Sequence, residues 1–245
     1  MTTKKNKSDV SAISIPPTGG VGGPTVSITV AEGMPPFLLR IQNVSCRVDL
    51  GIPLHLHRIA KACRNIEFNP RRYGALTMRL RDPFNATALL FSSGKLCVTG
   101  VRSPNDARVA VQKFAMALGK IGYATNPGEL EYKIQNMVGA VDVGFPIRLE
   151  GLLYSKHHRE HVTYEPELCP GLVYRFSKEK VVCMIFASGK VLITGAKKEG
   201  EFSSALTKIY PMLVKFGKTD AVQLAPLPRA TPYEAESETK PLANA

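Results

Sequence analysis

Three histidines in one short string are the first candidates for chemistry in this sequence. His157, His158 and His161 occur in HHREH, and imidazoles at such spacing can supply metal ligands from one helical turn. The string lacks the HExxH spacing of metalloproteases, and no cysteine lies close to it in sequence. We therefore expect a solvated loop after a helix here, and no metal site.

The cysteines and carboxylates form no catalytic pattern either. The five cysteines have no CxxC spacing and mostly lie in apolar runs, which is typical of small buried side chains in a protein from a reducing compartment. The sequence contains no glycine-rich phosphate loop, no paired catalytic carboxylates and no nucleophile elbow. It thus predicts a protein that is not an enzyme and has no cofactor, in the cytosol or the nucleus.

Positive charge is the strongest indication of a partner. The chain carries 32 Lys and Arg against 20 Asp and Glu, a net charge of +12. The cations are concentrated in residues 38–218, whereas the two ends together are slightly acidic. A folded domain presents such charge as a fixed patch, so we expect a polyanionic partner, nucleic acid first. No apolar run is long enough to span a membrane, and no membrane partner is expected.

The ends of the chain differ in composition from its middle. Residues 1–37 contain PPTGG, VGGP and MPP with little periodic apolar content, and residues 219–245 are rich in Pro, Ala and Glu. Such segments bury too little apolar surface to offset their conformational entropy. We expect a disordered N-terminal arm and a disordered C-terminal tail around a folded region over 38–218.

The folded region contains the same pattern twice. LLFSSGKLCVTG at 89–100 matches MIFASGKVLITG at 184–195 in six of twelve positions, and IQN recurs at an offset of 93 residues. This period is too long for a solenoid unit. We predict one duplication with a pseudo-twofold relation, the first repeat over 38–130 and the second over 131–218.

Each repeat has the pattern of a small α+β unit. Runs rich in Val, Ile and Leu flank glycine turns at 92–95 and 187–190, which predicts antiparallel hairpins. Apolar residues recur at helical spacing in four further segments, and Pro211 predicts a break in the last of them. These segments begin after Pro53, after Ser103, after Pro146 and near Glu199.

Both faces of the predicted hairpins are apolar. Leu90 and Val98 point to one face of the first hairpin, and Leu89 and Phe91 point to the other. The helices cover one face, and two interpretations of the other remain. The two repeats could pack face to face as a sandwich core. Alternatively, an open apolar face rimmed by Arg and Lys would suit a DNA minor groove, where base edges lie between phosphates.

The strings QNMVG, FPIRLEG, YEPEL and FASGKVLITGAK, with the duplicated IQN, closely resemble the TATA-box-binding protein family over essentially all of residues 38–218. The resemblance implies a saddle-shaped α+β fold, a pseudo-twofold duplication with a curved ten-stranded antiparallel sheet and four helices on its convex face. It also implies a general transcription initiation factor of the nucleus. Such a factor binds promoter DNA in the minor groove through the concave sheet, bends it, and recruits partners of the transcription factor IIA and IIB type and other initiation-complex subunits.

The resemblance assigns DNA contacts by position. Asn43, Asn136, Thr99 and Thr194 would hydrogen-bond base edges, since A·T pairs present only acceptors in the minor groove. Small and apolar base contacts would surround them, and cations would contact phosphates without reading sequence. The surrounding base contacts are Leu89, Cys97, Ser45, Val138, Met184 and Leu192. The phosphate contacts are Arg72, Arg79, Lys95, Arg175 and Lys190.

The wedge positions depart from the family pattern of two Phe per repeat. The matching positions hold Tyr73 with Phe91 and Cys169 with Phe186. A Tyr ring brings a hydroxyl into the base stack, and Cys is too small to hold a base step open. Ser45 also replaces the usual Val. We expect DNA binding with less kinking and a blunted preference for TATA sequences.

The partner surfaces follow the resemblance more closely in the second repeat. Glu165, Glu167 and Leu168 match the loop that meets transcription factor IIB. The matches to the helix that meets transcription factor IIA are Arg108, Lys113 and Lys120, although Gln112 and Met116 replace basic residues there. Ordinary solvated charge is the alternative for both surfaces.

A second function also remains open. The chain could be a related scaffold with weakened TATA recognition, brought to promoters by protein partners. The identities of Tyr73, Cys169 and Ser45 discriminate between the two functions, because these residues set how much of the wedge and floor chemistry is retained.

Overall fold

Eleven strands and four helices make up the part of the chain that the computed structural model describes, residues 25–28 and 34–218. The strands are β1 (Thr25–Ile28), β2 (Phe37–Asp49), β3 (Ile66–Glu67), β4 (Leu76–Leu80), β5 (Ala86–Leu90), β6 (Lys95–Val101), β7 (Tyr132–Asp142), β8 (Val162–Thr163), β9 (Gly171–Arg175), β10 (Val182–Phe186) and β11 (Lys190–Ala196). The helices are α1 (Leu56–Ala62), α2 (Pro104–Lys120), α3 (Leu149–Leu153) and α4 (Glu199–Lys215).

One antiparallel sheet contains all of these strands. Ten follow the order β3-β4-β5-β6-β2-β7-β11-β10-β9-β8, and β1 pairs with β2 outside this path. In the central pair, Asn43 lies opposite Val138 and Ser45 lies opposite Asn136. Since Asn43 corresponds to Asn136 and Ser45 to Val138 in the duplicated sequence, the pseudo-twofold axis runs between β2 and β7. The predicted α+β saddle with an open sheet is confirmed, with an eleventh strand.

Within residues 25–28 and 34–218, only one face of the sheet is covered. Leu90, Leu96 and Val98 of the first hairpin are fully buried, as are Ile185 and Ile193 of the second, beneath the helices. The side chains that alternate with them are only half-buried. The helices therefore line the convex face, and the interpretation as a face-to-face sandwich is wrong.

Local signals in the sequence place the start of α2, whereas tertiary packing overrides the helix-breaking signal of Pro211 in α4. The Ser103 hydroxyl accepts a hydrogen bond from the Asp106 N–H at 2.9 Å, and Pro104 opens the helix. Pro211, by contrast, lies inside a continuous α4, so the predicted break is wrong. Ile209 and Met212 are buried on either side of Pro211, and this packing holds the helix together across the missing hydrogen bond.

The N-terminal segment also differs from the prediction. Thr25–Ile28 forms β1, and its partners in β2 begin at Phe37, whose side chain is buried. This part of residues 1–37 is therefore a strand of the sheet and not a flexible arm. The rest of the predicted arm up to residue 33 and the tail 219–245 lie outside the described residues. Among the helices that the structure describes, none has the length and apolar content needed to cross a membrane.

Each hairpin turn depends on a glycine. Gly94 and Gly189 adopt φ of 85° and 93°, and a Cβ there would lie 2.1 Å from the Ile52 carbonyl oxygen and 2.3 Å from that of Phe145. Only glycine fits this left-handed backbone and close approach. The turns thus dock on the segments before α1 and α3, which fixes where β6 and β11 begin.

Candidate nucleic-acid interface

A polar cluster lies at the centre of the open face in the first repeat. Asn43 Nδ2 is 3.2 Å from Thr99 Oγ1 and 3.3 Å from Ser45 Oγ, and the two hydroxyl oxygens are 2.9 Å apart. Thr99 Oγ1 also lies 3.3 Å from Asn43 Oδ1, which accepts the Gly100 N–H at 2.9 Å. The structure therefore brings together three residues that the sequence predicted as separate base contacts.

The second repeat holds a smaller and looser version of this cluster. Asn136 Nδ2 and Oδ1 each lie 3.5 Å from Thr194 Oγ1, and Oδ1 accepts the Gly195 N–H at 2.8 Å. Val138 occupies the position that Ser45 holds in the first repeat. It offers no polar atom, so the second cluster contains two side chains where the first contains three.

A β-bulge in each repeat orients the asparagine. The registers of β6 on β2 and of β11 on β7 shift by one residue beside Gly100 and Gly195, where φ is 95° and 93°. The freed backbone N–H points at the asparagine Oδ1 and so distinguishes the amide oxygen from the nitrogen. Both amides consequently present their N–H donors away from the bulge.

Half-buried apolar side chains surround the two clusters. Leu89 lies opposite Cys97 in the first repeat, and Met184 lies opposite Leu192 in the second. Val138 completes the predicted set on β7. These five predicted base contacts therefore all lie on the open face, and a ligand placed there would remove them from water.

The wedge positions lie at the two ends of the sheet and differ between repeats. Phe91 directly follows β5 and Phe186 ends β10, both half-buried. Tyr73, in the loop before β4, exposes 51 % of its surface. Cys169 is half-buried and its N–H donates to the Glu165 carbonyl oxygen in a tight turn. One end thus presents two aromatic rings and the other only one.

The predicted phosphate contacts lie around this face as two equivalent pairs and one unmatched residue. Arg79 and Arg175 are exposed in β4 and β9, and Arg79 has only a solvent-exposed ion pair with Glu67 at 3.4 Å. Exposed pairs of this kind contribute little to stability, so Arg79 remains available to a phosphate. Lys95 and Lys190 begin β6 and β11, opposite carboxylates in the neighbouring strands. The unmatched residue is Arg72, before β4.

Three further cations on the central strands were missed from the sequence. Arg40 and Arg47 on β2 and Lys133 on β7 are exposed and alternate with the buried side chains of the convex face. Arg47 lies two residues after Ser45 and directly opposite Lys133. The alternation of Ser45 and Arg47 along one strand was the signal that could have identified this residue.

The predicted partner loop of the second repeat is fully accessible. Glu165 and Glu167 are exposed, and Leu168 exposes 82 % of its surface. The Leu168 N–H donates to the Glu165 carbonyl oxygen at 3.0 Å, which holds the loop as a turn. An exposed apolar side chain next to two carboxylates is a surface suited to an apolar and basic partner.

The predicted partner helix of the first repeat is less uniformly basic. Arg108 and Lys120 are exposed on α2, and Met116 between them exposes 48 % of its surface. Lys113 instead donates to the Asp82 carbonyl oxygen at 3.0 Å, with the Asp82 carboxylate at 3.4 Å. Arg108 and Lys120 therefore lie on an open surface, and Lys113 forms a solvent-exposed ion pair with Asp82 beside them.

The histidines and the two buried cysteines, Cys46 and Cys183, lie away from the open face. His158 and His161 pack beside the Tyr174 ring, at centroid distances of 6.1 and 5.8 Å, so this part of HHREH is not the fully solvated loop expected. Within residues 25–28 and 34–218 no group of three His, Cys, Asp or Glu is placed to hold a metal ion. Burial raises the pKa of the Cys46 thiol to about 11 and that of Cys183 to about 12, which keeps both protonated.

Comparison with known proteins agrees with this geometry. The family model described as transcription factor TFIID (or TATA-binding protein, TBP) matches residues 38–121 and 131–216. The chain is 49 % identical over 180 residues to a TATA-box-binding protein of Danio rerio and 45 % identical over 201 residues to that of Drosophila melanogaster. These alignments cover 74 % and 82 % of this chain but only 58 % and 56 % of the relatives' length.

A solved structure supports the same assignment. The structure of Methanococcus jannaschii TBP has a TM-score of 0.65 and 37 % sequence identity to this chain, covering 72 % of this chain and 98 % of that one. The family consists of transcription factors and not of enzymes, in agreement with the missing catalytic pattern. The duplicated saddle, its paired Asn–Thr clusters and these similarities lead to one conclusion: the chain belongs to the TATA-binding protein family.

Proposed function

We propose that the chain is a general transcription initiation factor of the nucleus that binds promoter DNA in the minor groove through its concave sheet and bends it. The observation that carries this proposal is the pair of Asn–Thr clusters at the centre of an open apolar face. Buried polar groups normally have partners, whereas a half-buried amide aimed outward can hydrogen-bond a base edge.

The free donor of the second cluster matches A·T pairs. In the minor groove both orientations of an A·T pair present only adenine N3 and thymine O2 as acceptors. Because bulge glycines hold each asparagine Oδ1, the amide of Asn136 presents an N–H to such an acceptor. The surrounding apolar residues exclude water and so strengthen each such hydrogen bond.

Bending follows from the ends of the sheet. Phe91 and Phe186 can each insert between base steps, and the rings would compensate the lost base stacking. Tyr73 can assist at one end, whereas Cys169 cannot at the other. We infer that the duplex is kinked unevenly, more at the first repeat than at the second.

The test uses the full chain and a duplex containing a TATA element. We expect a gel shift, a measurable bend by fluorescence energy transfer between labelled duplex ends, and affinity that falls steeply with added salt. Asn43→Ala combined with Asn136→Ala should reduce binding at least tenfold, mainly by the loss of the hydrogen bond from Asn136 to a base. Arg108→Ala, on the helical side, is the matched control and should bind normally. A duplex bound equally well by the double variant would contradict the proposal.

The partner surfaces extend this proposal to assembly. The loop of Glu165, Glu167 and Leu168 would contact a transcription factor IIB-type partner, and Arg108 with Lys120 on α2 a transcription factor IIA-type partner. Charge reversal by Glu165→Arg and, separately, Arg108→Glu should each abolish the supershift by one factor only. Loss of neither supershift would leave both residues as ordinary solvated charge.

A second candidate function is a scaffold that protein partners bring to promoters. The observation in its favour is Cys169, which leaves one end of the sheet without a second wedge. If the wild type fails to bind a TATA duplex and restoring both rings with Tyr73→Phe and Cys169→Phe changes nothing, the scaffold function is supported. Recovery of binding in that variant would instead attribute the defect to the missing wedges.

A further inference from the structure

The two central clusters differ in what they leave unsatisfied. In the first repeat, the Asn43 amide and the hydroxyls of Ser45 and Thr99 together carry four hydrogens that can be donated. Each has an acceptor inside the cluster: Nδ2 reaches both hydroxyl oxygens, Thr99 reaches Asn43 Oδ1, and Ser45 reaches Thr99. The hydroxyls of Ser45 and Thr99 can donate to each other in either direction; when Ser45 donates to Thr99 and Thr99 to Asn43 Oδ1, the first cluster has no donor left for a base.

The acceptors of the first cluster are nearly all occupied as well. Asn43 Oδ1 accepts from Gly100 and Thr99, and Thr99 Oγ1 accepts from Asn43 and Ser45. Ser45 Oγ accepts only from Asn43. Because a hydroxyl oxygen has two lone pairs, one acceptor remains open, and it belongs to Ser45 on the concave face.

The second cluster has the opposite character. Asn136 Oδ1 accepts the Gly195 N–H, and Nδ2 reaches Thr194 only at 3.5 Å. Val138 replaces the third member and supplies no acceptor. Within the described part of the chain, one N–H of Asn136 thus has no partner, and this cluster presents a donor.

A guanine amino group is the only hydrogen-bond donor that a base pair places in the minor groove. A face of donors and apolar groups leaves that amino group buried without a partner, which opposes binding. An open acceptor would instead satisfy it. Resting on the proposed DNA-binding function, we propose that Ser45 lets the first repeat accept a G·C pair beside the centre of the element, while the second repeat requires A·T. The chain would then bind an asymmetric element in one orientation.

Arg47 adds a second difference on the same side. It lies two residues beyond Ser45 on β2 and is exposed, whereas the equivalent position of the second repeat is Ala140. A cation here can hold the phosphates of the strand that carries the guanine, without reading the base itself. Both differences therefore make the first repeat the more polar half of the interface.

The test replaces each A·T pair of an eight-base-pair A·T element in turn by G·C and, in a matched duplex, by inosine·C. Inosine lacks the amino group, so the ratio of the two affinities isolates that group at every position. For the wild type, we expect G·C to bind within about twofold of inosine·C, or better, at one position beside the centre. At the mirror position, G·C should bind about tenfold more weakly.

Three variants assign the effect to the serine. Ser45→Val and Ser45→Ala should lower the G·C to inosine·C ratio about tenfold at the tolerant position only, and Val138→Ser should raise it at the mirror position. Binding of each variant to the parent A·T duplex reports that it is folded. If the parent duplex is bound and neither Ser45→Val nor Ser45→Ala changes the G·C to inosine·C affinity ratio at any position, this inference is wrong and the proposed function stands. Failure of the wild type to bind the parent duplex would overturn both.

Discussion

The two repeats have the same backbone but present different chemistry on the open face. Their helices, hairpins and bulge glycines correspond one to one, as the shared φ near 95° of Gly100 and Gly195 shows. Ser45 and Arg47 of the first repeat nevertheless correspond to Val138 and Ala140 of the second. The convex face packs against helices, which constrains its side chains, whereas no helix among the described residues packs on the concave face, where positions such as Ser45 and Val138 can differ between repeats.

The largest expected effect tests the two ends of the saddle. Phe186→Ala should lower DNA affinity about a hundredfold, because Cys169 leaves no second ring at that end, while Phe91→Ala should lower it about tenfold, since Tyr73 remains. Gel shifts and bend angles measure both. Met116→Ala on the helical side serves as control. Equal losses at the two ends would refute the uneven kinking.

The asparagines should separate binding from stability. Asn136→Ala removes an available donor and should weaken DNA binding about tenfold, with little change in Tm. Asn43→Ala breaks a closed cluster and should lower the unfolding free energy by about 1–3 kcal/mol, with the smaller effect on binding. Thermal denaturation measures the stability of both variants, and gel shifts measure their DNA affinity. A larger loss of binding in Asn43→Ala together with a larger loss of stability in Asn136→Ala would contradict the difference between the clusters.

Positive charge on the central strands should increase the salt dependence of DNA affinity. Arg47→Ala should lower the slope of log affinity against log salt by about 0.9, and Ala140→Arg should raise it by a similar amount. Arg108→Ala should leave the slope unchanged. If Arg47→Ala also leaves it unchanged, Arg47 does not contact a phosphate.

The smallest effect concerns the two buried thiols, one in each repeat. Burial raises the pKa of Cys46 and Cys183 from 9.0 to about 11 and about 12, so the folded chain holds these protons more tightly than the unfolded chain. Their contribution to stability is therefore complete below pH 9 and is lost as the pH rises through 11 and 12. The Tm measured by thermal denaturation should fall between pH 8 and pH 11. The Tm of Cys183→Ala should fall less steeply over the same range. A Tm independent of pH would argue against the burial.

Features with local signals were predictable from the sequence. The Ser103 cap and Pro104 located the start of α2, and the glycine turns located both hairpins. The family resemblance assigned ten base contacts, and the structure places all ten of these predicted residues on one face. Tertiary effects were not predictable: the packing around Pro211 keeps α4 continuous, and β1 forms because the next strand, β2, offers it a pairing partner.

The central cluster shows the same limit on a smaller scale. Asn43 and Thr99 are separated by 56 positions in the chain, and their contact depends on a bulge that no local pattern announces. Resemblance identified both residues as DNA contacts but not the closed set of hydrogen bonds that includes Ser45.

The pairing of β2 with β7 has a consequence for how this surface can change. Neighbouring side chains on a strand point in opposite directions, so inserting or deleting one residue there would turn the predicted contact residues into the protein interior unless a bulge absorbed the change, as the two register shifts between these strands already do. The junction of the two repeats therefore permits new DNA preferences most readily through exchange of one amino acid for another, as at Ser45. Without such a bulge, lengthening or shortening either strand would destroy the surface altogether.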